Sequence, residues 1–339
     1  MTDTIAALPK AELHVHLEGC LEPELMFALA RRNGVPLRWA DPAALRAAYR
    51  FRDLRAFLDL YFAGCRVLVT ERDFHDVSLA YLRRARADGV RRAEMFLGPQ
   101  SFTERGIAAE TILRGVFSAI DAAAACGIDG ALLVSAHRHR SETEALHLLD
   151  SIMPWADRIA GIGLGGAEIG NPPAKFTAFF RTARQRGFRI TIHAGEEAPA
   201  SYVREAIDLL AVDRIDHGIA CLQDPGLVRA LAQRGTPLTV CPLSNHRLGL
   251  VPSLAAHPLP AMLDAGLAVS VHSDDPPYFG GYIADNYRAC RQDMGLSMPA
   301  LAHLARNSFA AAFVPEADKA AGIAAVDAWC AAEPNFIAA

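Results

Sequence analysis

The sequence predicts an α/β chain folded as one (β/α)8 TIM barrel, and three features carry that expectation. Eight short apolar runs can be counted, they alternate with longer stretches of helical periodicity, and polar residues gather where the runs end. Strands that alternate with helices signal a parallel sheet wrapped by helices. Eight is the number at which such a sheet closes, and a barrel of this kind builds its active site at the C-terminal ends of its strands.

The first four runs are ELHVHLE (12–18), RRAEMFL (91–97), GALLVSA (130–136) and IAGIGLG (159–165). The second four are RITIHAG (189–195), RIDHGIA (214–220), PLTVCPL (237–243) and LAVSVHS (267–273). Between the first and second lies a helix-rich stretch from Glu22 to Asp88, with DLRAFLDLYFAGCRVL and DVSLAYLRRARADG inside it, too long for one crossover helix. It is expected to form a helical insertion, about 20–88, over the barrel mouth. No internal repeat, low-complexity segment or Gly/Ser linker divides 1–339, so one domain is expected; barrels with insertions often exceed about 250 residues. The Ala-rich tail after about Ala320 is expected to add a final packing helix.

Composition narrows the function. Hydrophobic residues make up 52% and charged residues 21%, with a net charge of -4, which supplies a core and gives no pull toward a polyanion. Nucleic acid is not an expected partner. The start MTDTIAALPKAELHVH has neither the basic opening nor the apolar stretch of a signal peptide, and no later run reaches the roughly 20 apolar residues of a membrane span. A cytoplasmic location without a membrane partner is therefore expected. Seven scattered cysteines with no CxxC fit reduced thiols better than disulfides or a cysteine metal site, so a metal would need other ligands.

Those ligands are available at the strand ends. In HVH, His14 and His16 stand two apart, and on an extended strand both imidazoles point to the same side at a separation one metal ion can bridge. TIHAGEE closes the fifth run with His193 and, three residues later, Glu196. The eighth run ends in VHSDDP, where side chains of neighbouring Asp274 and Asp275 leave an extended backbone on opposite sides, so one can face a metal while the other faces something else. Three histidines and a carboxylate make a mononuclear shell that still leaves a position for water. His217, at the end of RIDHG, can orient that water or take its proton, and Glu196 can protonate a substrate ring nitrogen. The HxH pair His137 and His139 lies in AHRHR between arginines and reads as solvated surface. His272 reads as strand packing near the site, His246 as a loop residue with substrate contact as the alternative, Tyr278 and Phe279 as aromatic packing, Glu168 as a supporting partner, and Phe57, Leu58, Tyr61 and Phe62 as core, with an apolar wall for a flat base as the alternative.

With these residues in place, the chain resembles the adenosine and adenine deaminase group of the amidohydrolase superfamily. The resemblance covers nearly the whole length, with LPKAELHVHLEG, IHAGEE, RIDHG, CPLSN and SDDPPYFGGY in the family's order on successive strand ends. It implies one Zn2+ per chain held by His14, His16, His193 and Asp274, with Glu196 protonating a purine ring and His217 activating the water. It also implies that Asp275 hydrogen-bonds the base and that the backbone amide of Gly166 meets the ring.

Within the group, PQSFTERG, EIGNPPAKF, CPLSN and SDDPPYFGGY are similar to the microbial adenine deaminases. So is Glu18 in HLEG, a position expected to touch substrate, where many adenosine deaminases carry an aspartate that reaches the sugar. The implied reaction is hydrolysis of adenine to hypoxanthine and ammonia, with an N6-substituted adenine or a 6-aminopurine nucleoside as alternatives. Two departures stand out. Gly165, Gly166 and Ala167 replace the usual Asp-Ser-Ser, and Gly98 replaces an acidic residue, so a roomier pocket or one short of a polar contact is expected. A binuclear relative would carry a lysine at the end of the fourth run, and Lys10, Lys175 and Lys319 all lie elsewhere. A non-catalytic binding barrel would have lost one of the required groups, and all of them are present.

Overall fold

The structure is a computed structural model that describes residues 4–51 and 53–333. The last residues of the Ala-rich tail, 334–339, lie outside the described residues. Eight parallel strands run in sequence order: β1 (Lys10–His16), β2 (Val90–Leu97), β3 (Asp129–His137), β4 (Ile159–Gly165), β5 (Arg189–Ala194), β6 (Arg214–His217), β7 (Leu238–Val240) and β8 (Val269–Val271). The barrel closes just past β8. There His16 N–H donates to the Asp274 carbonyl at 3.0 Å and Asp274 N–H to the His14 carbonyl at 3.0 Å, forming a parallel bridge between Val15 and Asp274.

Each predicted run overlaps a strand, and the last three strands are shorter than the runs. The reason is local. Gly218 turns the chain out of β6 with φ 73°, and Pro242 opens a helix (Pro242–Arg247) directly after β7. Outward side chains such as Leu13 and Val15 on β1 are fully buried against the surrounding helices. Inward ones depart from the branched aliphatic layers usual in such barrels. Arg214 of β6 reaches across to Glu94 of β2 at 2.8 Å and to the Leu13 carbonyl of β1 at 3.4 Å, and Glu12 accepts from the Ser273 hydroxyl at 2.6 Å. Arg214 and Glu94 are thus buried as an ion pair, as burial demands, whereas burial pushes the Glu12 carboxyl up to about 8.

Between β1 and β2 lie four longer helices, Pro23–Asn33, Pro42–Ala48, Leu54–Cys65 and Glu71–Ala87. The last packs against β2 and the helix Ala109–Ala124, and so belongs to the outer ring. The third starts at Asp53, whose carboxylate accepts from Ala56 N–H at 2.8 Å, and it turns Leu54, Phe57, Leu58, Tyr61 and Phe62 toward the barrel mouth. After β8, the helix Met298–Ala310 covers β8 and β1, and Glu316–Ala332 packs on it. All seven cysteines are unpaired. Among the described residues no helix is long and apolar enough to cross a membrane.

Candidate active site

Alternation along β1 carries Glu12, His14 and His16 into the barrel, and β5 delivers His193 from the far side. His14 Nε2 and His193 Nε2 lie 3.1 Å apart, and His16 Nε2 and His193 Nε2 lie 3.2 Å apart. Asp274 Oδ1 stands 3.6 Å from His14 Nε2 and 3.4 Å from His16 Nε2. The opposite-side alternation expected for the two neighbouring aspartates does not apply, and their carboxyls stay close enough to interact. Asp274 is not extended; its φ of 64° is in the left-handed region, as is that of His217, also at 64°. Left-handed backbone at non-glycine residues is uncommon and collects at functional sites.

The outer nitrogens decide what these imidazoles can bind. His14 Nδ1 lies 3.2 Å from the Thr239 carbonyl, which can only accept, so the ring proton sits on Nδ1 and Nε2 carries a lone pair. His193 Nδ1 lies 3.3 Å from the Asp216 carboxylate, with the same result. Asp216 is itself fixed by the Thr191 and Thr239 hydroxyls, at 2.7 and 3.0 Å. Burial opposes its ionisation, yet the neighbouring His193 ring and Arg214 hold its carboxyl below the usual range. Burial likewise pushes His14 well below its ordinary value and His16 down to about 4, which leaves both rings neutral. Two lone pairs and a carboxylate oxygen thus face one another across little more than 3 Å, an arrangement that repels unless a cation lies between. With metal–nitrogen bonds of about 2.0–2.1 Å, a tetrahedral shell has donor–donor edges of about 3.3 Å, so the four groups fit one divalent metal.

Beside this cluster His217 Nε2 stands 3.6 Å from Glu196 Oε2 and 3.9 Å from Asp274 Oδ2. Burial, and then the charge of Asp274, raise the Glu196 carboxyl well above its usual range, which keeps it protonated near neutral pH. Burial pushes His217 down to about 4 despite Asp274. The loop carrying Glu196 is tied by Glu168. Its Oε1 accepts from Gly195 N–H at 2.7 Å, and its Oε2 accepts from the N–H groups of Glu196, Glu197 and Ala198 at 3.0, 2.8 and 2.8 Å. Arg138 braces the same loop, donating to the His193 carbonyl at 2.7 Å and the Asn171 carbonyl at 3.0 Å. Asp275 is buried, and that burial together with Asp274 pushes its carboxyl well above the usual range. Gly19 makes room for it, since a Cβ there would lie 1.6 Å from Asp275 Oδ1.

Comparison with known proteins gives this geometry a family. The model of the adenosine deaminase family matches residues 9–329. The chain belongs to the adenosine deaminase family. It is 59% identical over 318 residues to adenine deaminase of Rhodopseudomonas palustris, covering 93% of each chain, and 50% identical to that of Caulobacter vibrioides, covering 97% of this chain and 96% of the other. The crystal structure of adenine deaminase from Arthrobacter aurescens superposes with a TM-score of 0.94 at 50% identity, over 95% of this chain and 99% of that one. An amidohydrolase from Burkholderia ambifaria with bound Zn follows at a TM-score of 0.89 and 31% identity, covering 97% of this chain and 93% of the other. The enzyme is a hydrolytic deaminase.

The deaminase's cavity sits at the barrel mouth and holds about 570 Å³ of empty space, its opening included. His16, Gly166, His193, Glu196, His217, Asp274 and Asp275 all reach it, whereas His14 lies beneath, fully buried. Glu18 is buried behind the wall, accepting from Gly98 N–H at 2.8 Å, and burial pushes its carboxyl up to about 7. The aromatic residues of the helix Leu54–Cys65 serve as core and cavity wall together, Phe57 being buried yet lining the space.

The histidines of AHRHR and CPLSNH depart from their sequence-based expectations. His137 is not solvated surface: it is the last residue of β3, it is buried, and it lines the cavity, while Arg138 is fully buried and only His139 is exposed. The missing side chain at Gly98 explains it, because a Cβ there would lie 2.5 Å from His137 Nε2. The glycine leaves no void; His137 fills the space and supplies a polar wall. His246 lies in the short helix Pro242–Arg247 rather than a loop, and is exposed. Sequence reasoning also passed over Asp216 and Thr239, which orient ligand imidazoles. The aspartate stands next to His217 in RIDHG, so its motif was in view.

Proposed function

We propose that this deaminase hydrolyses free adenine to hypoxanthine and ammonia, with one Zn2+ held by His14, His16, His193 and Asp274. The observation that carries the reading is the pair of imidazole lone pairs converging with Asp274 beside the buried Glu196. It is supported by relatives at 50% and 59% identity that bear the name adenine deaminase, and by the Zn in the Burkholderia ambifaria structure. A bound divalent ion supplies Lewis acidity and draws the pKa of a coordinated water toward about 7.

The chain's own residues manage the protons. Glu196 gives its proton to N1, which makes C6 electrophilic, and the water oxygen forms its bond to C6. Glu196 then takes one proton from that oxygen and passes it to N6. The C6–N6 bond breaks, ammonia leaves, and the second proton from the oxygen resets Glu196. His217 orients the attacking oxygen between Glu196 and Asp274. Asp275, kept protonated, donates to a ring nitrogen, and Gly166 N–H meets another. Glu18 shapes the adjoining wall through Gly98.

The test is a panel of 6-aminopurines, with and without sugar or an N6 substituent, assayed for ammonia with enzyme of measured zinc content. Adenine turnover without adenosine turnover is expected, lost on chelation and restored by Zn2+. Preference for the nucleoside or for an N6-substituted base would move the substrate. Metal-replete enzyme that releases ammonia from none of them would end the reading.

A further inference from the structure

His217 heads a chain of three buried side chains that runs through Asn245 to His257. Its far end is a group whose role is fixed. Leu259 N–H lies 3.0 Å from His257 Nδ1, and a backbone N–H can only donate, so His257 Nδ1 accepts and that ring's proton is on Nε2. Burial pushes His257 down to about 4, so it carries a single ring proton near neutral pH. His257 Nε2 lies 3.1 Å from Asn245 Oδ1. An N–H facing the amide there requires the amide oxygen, which turns Asn245 Nδ2 toward His217, 3.4 Å from its Nδ1. An amide nitrogen only donates, so His217 Nδ1 accepts. In neutral His217 the proton is left on Nε2, the nitrogen that faces Glu196 Oε2 at 3.6 Å and Asp274 Oδ2 at 3.9 Å. His217, Asn245 and His257 are 1%, 0% and 4% exposed, so water does not compete for these contacts.

We propose that Asn245 and His257 are positioning residues that hold His217 in its Nε2–H tautomer, so that it meets the reacting oxygen as a hydrogen-bond donor rather than as a proton acceptor. The role at the reacting oxygen rests on the deaminase chemistry proposed above; the tautomer itself does not. Two consequences follow. The protons from that oxygen fall to Glu196, which has become a carboxylate by protonating the ring. And His217 holds one lone pair of the oxygen, leaving another aimed at C6. Little in the sequence marks this arrangement: Asn245 stands in CPLSN, while His257 is a lone histidine before a proline, twelve residues on.

Asn245→Asp is the discriminating variant, because it keeps the shape and reverses the polarity. A carboxylate at 245 accepts from both rings and so draws the His217 proton to Nδ1. The tautomer is read directly by 15N-histidine NMR on the zinc-loaded enzyme, the His217 signals being assigned by their loss in His217→Asn. The expected parent spectrum has a protonated Nε2 and a bare Nδ1 at His217. In Asn245→Asp the two exchange, and kcat falls about 10²–10⁴-fold, by analogy with the tautomer error in a serine protease triad, while zinc content and KM stay within about threefold. His257→Gln, which keeps an N–H toward Asn245, retains most of kcat, and His257→Leu does not. A parent His217 protonated on Nδ1 would overturn the proposal even if the Asn245 and His257 variants misfolded. So would an Asn245→Asp enzyme that flips the tautomer with kcat unchanged, or a His257→Leu enzyme as active as His257→Gln. If no purine is deaminated but the parent tautomer is as stated, the substrate reading fails and the relay stands.

Discussion

Replacing Glu168 by glutamine tests how the loop that presents Glu196 is held. The carboxylate accepts four backbone N–H groups, one on Oε1 and three on Oε2, at 2.7 to 3.0 Å. Glutamine offers one oxygen. Its best orientation keeps the three donors of residues 196–198 and sets an NH2 against Gly195 N–H. A lost charge-assisted bond costs about 1.5–3 kcal/mol, and three bonds reduced from charged to neutral strength lose about 1 kcal/mol each, for a total of about 4–6 kcal/mol. Arg138, fully buried and 3.8 Å from Glu168, loses its carboxylate as well, which adds to the same side.

At about 2 °C per kcal/mol, the Tm of Glu168→Gln should fall by about 10 °C at a fixed scan rate. Activity should fall further than stability suggests. The donors belong to the residues that aim Glu196, and a displacement of about 1 Å at a reacting group costs on the order of 10²-fold in rate. The assay is kcat with adenine at saturating metal, beside Tm and metal content on the same preparation. A variant with Tm within about 2 °C and kcat within about threefold of the parent would show that Glu168 does not hold the loop.

Glu196→Gln should bind metal normally and lose about 10²–10⁴-fold in kcat, and near-normal turnover would remove it as the acid. Asp275→Ala should raise KM by about 10–10²-fold, the cost of one buried hydrogen bond, while metal content holds; loss of metal would mean that the two aspartates are exchanged. Gly19→Ala should act in the same direction, because its methyl would come within 1.6 Å of Asp275 Oδ1, and an unchanged KM would show that the carboxyl is free to move. Stability should fall at acid pH through His257: its folded value of about 4 lies below the ordinary 6.5, so its contribution is complete above about 6.5 and lost as pH drops toward 4. Denaturant unfolding of the parent and of His257→Gln across that window should show a flatter acid limb in the variant by on the order of 3 kcal/mol, and parallel limbs would refute it.

The sequence was informative wherever a local rule sets the geometry. Parallel strands buried on both faces read as near-continuous apolar runs, and all eight runs overlap strands. Two-residue alternation put His14 and His16 on one side because β1 is extended through both. It misled at Asp274 and Asp275, where the same alternation was assumed for a chain that has already turned left-handed. Partners distant along the chain were invisible. AHRHR looks like surface because two arginines flank its first and second histidines, yet Arg138 is buried by the carbonyls of Asn171 and His193, 33 and 55 residues away. The side chain absent at Gly98 is replaced by His137 from the next strand, a substitution in space that no single stretch of sequence displays.

The barrel seam and the candidate metal shell use the same residues, and this joins the fold to its chemistry. Closure depends on two backbone hydrogen bonds, from His16 to Asp274 and from Asp274 to His14, in which each partner also contributes a donor side chain. The left-handed backbone at Asp274 lets it pair with β1 and still turn Oδ1 toward both histidines of that strand. Three of the four donors therefore come together only when β1 meets the end of β8, and His193 completes the set from β5 across the interior. A divalent ion that binds all four must stabilise the closed barrel relative to any state with the seam open, by mass action. Local opening between β1 and β8 should then be suppressed by metal more strongly than opening between β2 and β3, whose six residue pairs include none of the four donors. Amide hydrogen exchange at His16 and Asp274, with and without Zn2+, separates this coupling from a general gain in stability, because a general gain would slow both seams alike.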